Sequence, residues 1–193
     1  LAFLSVLAGV LFDYKYIAFS NEKSANEGNV KYLGEIINHQ WAKSSEFEKM
    51  FRFYIKKYLT PGVEYFSFLR KYTELEITKM FIKYPKYFPV FSSCNTGMKW
   101  CGNCPKCLFV YATLYPFLSK KQLLKIFGRD IFENRGLLPA MKGLLGQGKP
   151  KPFECVGTKK ETRLAFELCL KKALQQAQSK PISYLLKKFK KRK

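Results

Sequence analysis

Ser93-Cys94-Asn95-Thr96-Gly97-Met98-Lys99-Trp100-Cys101-Gly102-Asn103-Cys104-Pro105-Lys106-Cys107 packs four thiols into fourteen residues. At this density thiols are ligands before they are packing groups. Zn²⁺ takes four soft donors in a tetrahedron, and a Cys-x2-Cys turn bends tightly enough to aim two sulfurs at one ion. Asn95, Gly97, Gly102 and Asn103 supply the turn residues that such knuckles need. Cys94, Cys101, Cys104 and Cys107 are therefore the expected metal ligands, and together they close the site to any substrate. The expected ion is structural Zn²⁺. An iron–sulfur cluster is the alternative, since ferredoxins also use Cys-x2-Cys-x2-Cys near a proline; the upstream position of Cys94 favours zinc. Disulfides fit poorly, because no signal peptide is visible and the triplet is too tight for a staple framework. Of the two other cysteines, Cys169 falls on the apolar side of a helix and is assigned to the core.

Outward from this run, 193 residues with 47% hydrophobic content suffice for one real core and a small appendage, which excludes a disordered chain. The chain opens inside an apolar stretch, LAFLSVLAGVLF, that leads into YIAFS. This reads as a helix over residues 1–12 and a buried strand over Tyr16–Ser20 whose preceding partners are absent. The chain is accordingly expected to be the C-terminal part of a longer protein, with the missing N-terminal part as its partner. The apolar stretch is too short to span a bilayer and has neither a basic flank nor a cleavage site. A cytoplasmic location is expected.

The formal net charge of +21 invites a nucleic-acid reading, because Lys and Arg attract phosphate. Its distribution weakens that reading. A third of the excess lies between Lys180 and Lys193, and the remainder is Lys scattered through helices. No specific nucleic-acid partner is expected; residues 179–193 read as a solvated basic tail able to touch anionic surfaces.

SNEKSANEGN, beginning at Ser20, reads as a loop after a strand end, where open α/β sheets bind ligands. Glu35–Gln40 suits a short extended piece. Ser45 with Glu48 reads as a capping box for a helix to about Tyr58, stopped by Thr60-Pro61-Gly62. Thr73 with Glu76 opens another helix. Tyr87–Ser92 reads as a second strand leading into Cys94. Helices then follow from Cys104 or Pro105, from Ser119, over Pro139–Leu145, and from Thr158 with its box partner Glu161 to about Gln178. The expected fold is α/β: the C-terminal part of a parallel-sheet domain over residues 1–92, a helical zinc-stapled subdomain over 93–178, and the tail.

SNEKSANEGN, NHQWAKSSEFEKMF, FPVFSSCN, WCGNCPKCLF and PFECVGT, in this order, resemble the UDP-N-acetyl-α-D-muramoyl-L-alanyl-L-glutamate epimerase family, as far as about Leu170. A more distant resemblance is to the 7-cyano-7-deazaguanine synthases, with a similar zinc cluster on an ATP-pyrophosphatase, adenine nucleotide alpha-hydrolase-like fold. The epimerase resemblance implies an ATP- and Mg²⁺-dependent inversion of the terminal glutamate of UDP-MurNAc-L-Ala-L-Glu, with AMP and pyrophosphate released. One departure matters. Pyrophosphatases of this type grip phosphate with a Gly- and Ser-rich loop after their first strand, and none precedes Leu1, so the chain alone is expected to be inactive.

Ser20, Asn21, Ser24, Asn26 and Glu27, with Glu22, form the expected ligand loop. Their amides and hydroxyls suit a nucleotide or carboxylate, and Glu22 or Glu27 suits Mg²⁺; the plainer reading is a turn satisfying its own backbone. Cys155 is a candidate α-proton base once deprotonated, with Glu154 beside it, against the plainer reading of a buried thiol at a helix start. His39, the one histidine, suits proton transfer near neutral pH, although lone histidines are more often structural. Two other readings stand beside the epimerase: a zinc-stapled basic module that binds nucleic acid, its aromatics stacking on bases, and a deazaguanine-synthase-like enzyme. PFECVGT and the Asn38-His39-Gln40 segment argue against the latter.

Overall fold

The computed structural model describes residues 1–28, 30–147, 151–152, 154–177 and 181–191. Two compact units divide the chain, Leu1–Thr73 and Glu74–Lys193.

In the first unit, α1 (Ala2–Leu11) leads through a left-handed Asp13 into β1 (Tyr16–Phe19). A hairpin of β2 (Val30–Tyr32) and β3 (Glu35–Ile37) follows, closed by Leu33-Gly34 with both residues at positive φ. That is the backbone a two-residue hairpin turn demands. Next, α2 (Ser45–Tyr54) runs on as a π-helical turn, Ile55–Leu59, and β4 (Glu64–Ser67) pairs parallel with β1, Tyr16 opposite Glu64 and Phe19 opposite Ser67. Val6, Phe51, Ile55 and Tyr65 form the core, with Ile17, Phe19 and Phe47 packed against it.

Two sequence expectations need correcting here. β1 is not a buried strand: Tyr16 is 60% exposed, because β1 has β4 on one edge and a core on one face only. Nor do Ser45 and Glu48 form a capping box. Ser44 is the N-cap of α2, its Oγ accepting from the Phe47 amide at 3.1 Å. Asn26 Oδ1 takes both the amide and hydroxyl of Ser45, at 2.7 and 2.8 Å, while Glu48 is drawn to Arg70.

The second unit is helical: α3 (Glu74–Phe81), α4 (Pro105–Leu114), α5 (Lys120–Phe127), α6 (Leu138–Leu144), α7 (Lys159–Gln175) and α8 (Tyr184–Lys190). The core centres on α4, of which Cys107, Leu108, Phe109, Tyr111 and Ala112 are all at most 1% exposed. Ser119 with Gln122 and Thr158 with Glu161 form the expected capping boxes. Residues 74–92, grouped by sequence with the first region, pack Leu75, Phe81, Phe88 and Phe91 against this second core.

Tyr87–Ser92 is not a strand. Pro85–Tyr87 is a 3-10 turn, and the Phe88, Val90 and Phe91 amides fold back onto Pro85 and Tyr87 carbonyls. Pro89 has no amide for a ladder, so the apolar run turns instead of extending. The basic tail is not simply solvated either. Residues 184–190 form α8, with Leu185, Leu186 and Phe189 buried in the core and the Lys residues outward. The charges of this segment mask an i, i+1, i+4 apolar stripe.

Candidate metal centre and ligand loop

Pro105 at the first turn of α4 fixes a helical φ where the missing amide costs nothing, and this sets the geometry of the cysteines. Cys104 becomes the N-cap and its Sγ accepts from the Cys107 amide at 3.4 Å. Cys107, one turn in, lies on the same side. Gly102 turns the chain with φ +70, and the Asn103 amide donates to Cys101 Sγ at 3.3 Å. All four sulfurs, of Cys94, Cys101, Cys104 and Cys107, lie within 4.8 Å of one another. Cys101 and Cys107 Sγ are 3.7 Å apart, close to the roughly 3.8 Å edge of a tetrahedron with ~2.3 Å zinc–sulfur bonds. The four donors therefore fit one tetrahedral soft metal ion, and all six cysteines are free thiols.

Electrostatics at the four sulfurs are uneven. Burial alone would raise the Cys94 thiol, but hydrogen bonds from Thr96 and Cys101 outweigh it and bring it down to about 6. Burial pushes Cys107 and Cys104 up. Sulfurs at the amino end of α4 also meet the positive end of its dipole, which favours thiolate.

A surrounding shell holds the knuckle. Asn134 donates from Nδ2 to the Gly102 carbonyl at 2.9 Å and to Asn103 Oδ1 at 2.7 Å, and accepts the Gly136 amide on Oδ1. Trp100 donates to the Phe91 carbonyl at 3.0 Å and packs on Phe91 and Phe127. A Cβ at Gly102 would stand 3.0 Å from Arg129 Cδ. Nothing in the sequence singled out Asn134, which is distant along the chain and sits among ordinary turn residues.

PFECVGT also lies in the second unit; its Phe153 is outside the described residues. Its last three residues are structural. Val156 is buried, a Cβ on Gly157 would come within 2.6 Å of Phe109 Cζ, and Thr158 caps α7. Glu154 and Cys155 remain. Burial raises the Glu154 carboxyl against the opposing pull of Lys106, and its Oε2 is buried with no hydrogen-bond partner. Lys106 Nζ donates to the backbone carbonyl of Cys155. Cys169 is fully buried, its Sγ donating to the Ala112 carbonyl, as a core thiol should be.

In the first unit, SNEKSANEGN begins directly after β1, at the carboxyl end of the parallel pair, and its Asn29 lies outside the described residues. Ser20 is exposed and Glu27 half-buried. Asn21 is buried and donates to Ser67 Oγ, at the end of β4. Ser24 is buried and donates to Glu22 Oε1, while Asn26 donates to the Lys23 carbonyl and receives Ser45. Arg70 ties the two strand ends together through the Glu22 carbonyl, Ser67 Oγ and Glu48 Oε2 at 3.3, 3.0 and 2.9 Å. Burial would raise Glu48, but hydrogen bonds from Ser67 and Arg70 win and hold its carboxyl below the ordinary range. Arg70 and Glu48 are missed by sequence reading: one follows a strand unmarked by motif, the other looked like a cap. His39 lies exposed in the turn after β3, in the same unit as the loop.

Comparison with known proteins bears on both units. A family model described as the MurL N-terminal domain matches residues 1–68, and one described as the MurL C-terminal domain matches residues 90–193, including α8. A Xanthomonas oryzae pv. oryzae protein named UDP-N-acetyl-alpha-D-muramoyl-L-alanyl-L-glutamate epimerase is 38% identical, over 87% of this chain and 39% of its own length. Proteins of the same name from Micromonospora sp. and Salinispora tropica are 36% and 37% identical, each over 86% of this chain and 38% of their own. The chain thus spans about two fifths of the length of these relatives. No solved structure matches. Matched by both domain models and by these relatives along most of its length, the chain belongs to the MurL epimerase family.

Proposed function

We propose that this chain serves in ATP-dependent epimerisation of the terminal L-Glu of UDP-MurNAc-L-Ala-L-Glu to D-Glu, a step in peptidoglycan precursor synthesis. The observation that carries the reading is identity of 36–38% to proteins named as UDP-N-acetyl-alpha-D-muramoyl-L-alanyl-L-glutamate epimerases, across both units. The chemistry explains the need for ATP. A free carboxylate makes the adjacent C–H a very weak acid, because deprotonation would place a second negative charge beside the first. Adenylation removes that charge and makes the group electron-withdrawing. A base then takes the α-proton, reprotonation from the opposite face inverts the centre, and hydrolysis of the acyl-adenylate releases product and AMP.

In this scheme the first unit belongs to an adenine nucleotide alpha-hydrolase-like domain, and the Ser20–Glu27 loop orients nucleotide or peptide carboxylate. Its position at the carboxyl ends of β1 and β4 supports this. Mg²⁺ bound with ATP phosphates needs only one or two protein carboxylates and offsets phosphate charge; Glu22 and Glu27 are the two in the loop. Glu154, Cys155 and His39 are the candidates for handling the α-proton, Glu154 gaining support from a carboxyl raised by burial. Zinc on the four cysteines holds the start of α4 and takes no part in the reaction. Among the described residues no helix is long and apolar enough to cross a membrane, and the ATP supply the reaction needs places it in the cytoplasm.

The intact protein, given UDP-MurNAc-L-Ala-L-Glu, ATP and Mg²⁺, is expected to release AMP and pyrophosphate and to yield D-Glu on hydrolysis and chiral analysis. ATP consumption without D-Glu would overturn the reading.

A further inference from the structure

Between the loop, the hairpin and the start of α2, the first unit holds an open cleft of about 550 Å³. Its walls include Asn26, Ile36, Asn38, Trp41, Ser45 and Glu46. Their chemistry runs against the rest of the molecule. The sequence carries 35 Lys and Arg and a net charge of +21, yet no described lining residue of this cleft is basic. A phosphate or pyrophosphate would find no cation there, only the Glu46 carboxylate to repel it. A neutral ligand is what such walls accept.

The shape of that ligand follows from Trp41. Its indole is 41% exposed, yet held at two points: it packs on Phe47 with the rings at 75° and centroids 5.2 Å apart, and Nε1 donates to Glu46 Oε2 at 2.9 Å. A fixed indole face attracts the polarised C–H groups of a saturated ring as well as other aromatic faces. The polar walls decide between the two. Asn26 is clamped by Ser45, and Asn38 by the Ala25 carbonyl and the Gln40 amide. Rotamers fixed in this way hold their remaining hydrogen-bonding capacity at set positions, and the remaining Glu46 oxygen is an acceptor for hydroxyl or amide donors. Ile36, 74% exposed beside them, supplies an apolar wall.

We infer that the cleft seats a neutral, hydroxylated pyranose carrying an acetamido group, stacked on Trp41 and hydrogen-bonded by Glu46, Asn26 and Ser45. This deepens the epimerase reading, and rests on it for the choice of an N-acetylhexosamine. The pyrophosphate of a sugar nucleotide would then lie outside the cleft.

The two tryptophans give a direct test. In a ¹H–¹⁵N spectrum, Trp41 and Trp100 each contribute an indole N–H signal, assigned with Trp41→Phe, and the dispersion of the same spectrum reports folding. N-acetylglucosamine and UDP-N-acetylglucosamine are expected to move the Trp41 signal, whose proton faces Glu46, and to leave that of Trp100, bonded to the Phe91 carbonyl, in place. Glu46→Gln keeps the shape and the Trp41 acceptor but removes the charge, and should weaken the sugar about tenfold. Uridine and UDP should not move Trp41. An unmoved Trp41 signal with either sugar, an equal shift with uridine, or sugar binding unchanged in Glu46→Gln would each overturn the assignment. Sugar binding without D-Glu formation by the intact protein would instead sink the epimerase reading and leave the cleft standing.

Discussion

The second unit closes on itself and the first does not. Around α4 the second unit buries aromatic and aliphatic side chains from every one of its helices, and four cysteines cluster at the entry to α4. In the first unit, α1 is apolar nearly all round, yet only Val6 and Gly9 are buried; Leu4, Leu7 and Leu11 are 66%, 54% and 68% exposed. Its parallel sheet has two strands, whereas parallel sheets normally bury both faces. Two units of one chain thus solve the burial problem to different degrees, and what the first has secured is the polar network at its strand ends. Its order is invested where ligand is expected, around Arg70 and the loop.

Several experiments break or sharpen this contrast. The largest effect is expected from Cys107→Ala, or from a strong chelator. Structural zinc contributes about 10 kcal/mol or more in small domains, so the second unit should lose its cooperative thermal transition, and zinc content should fall with it. Iron in the purified protein, with absorbance near ~400 nm, would reassign the metal. Next, Gly157→Ala forces a Cβ against Phe109 and should cost about 1–3 kcal/mol by denaturant titration. Arg70→Ala acts in the other unit. It strands Glu48 and unties the Glu22 carbonyl from Ser67; about 1–2 kcal/mol is expected after discounting for its partial exposure. Hydrogen exchange should quicken in β1 and β4, with α4 unaffected. A gentle acid titration should give the smallest effect. Because the folded Glu48 carboxyl lies below its ordinary value of about 4.3, its stabilisation is complete above that pH and is lost as pH falls through the lower folded value. Exchange in the first unit should rise over that window, and Glu48→Gln should remove the dependence.

Local signals made much of this legible. The cysteine spacing, Ser119 and Thr158 as caps, the helix of residues 1–12 and the strand from Tyr16 all rest on interactions within a few residues, which sequence displays. The failures share the opposite property. Tyr87–Ser92 has the composition of a strand but no neighbour to pair with, and Pro89 settles the matter. Ser45 is taken by Asn26 and Glu48 by Arg70, partners remote in sequence, so a local capping rule lost to tertiary contacts. Asn134 and Arg70 carry no motif at all. α8 was hidden by its charge: seven basic residues between Lys180 and Lys193 obscured the Leu185, Leu186 and Phe189 that dock it.

One carboxylate has a temporal consequence. Glu161 accepts the Thr158 amide on Oε2 and the Glu74 amide on Oε1, the latter at 3.0 Å, serving the starts of α7 and α3 at once. The second contact spans 87 residues. During synthesis from the amino end, α3 emerges long before the carboxylate that receives its first amide. A nascent chain that ends upstream of Glu161 therefore carries all four cysteines of the knuckle before the carboxylate that joins the starts of α3 and α7.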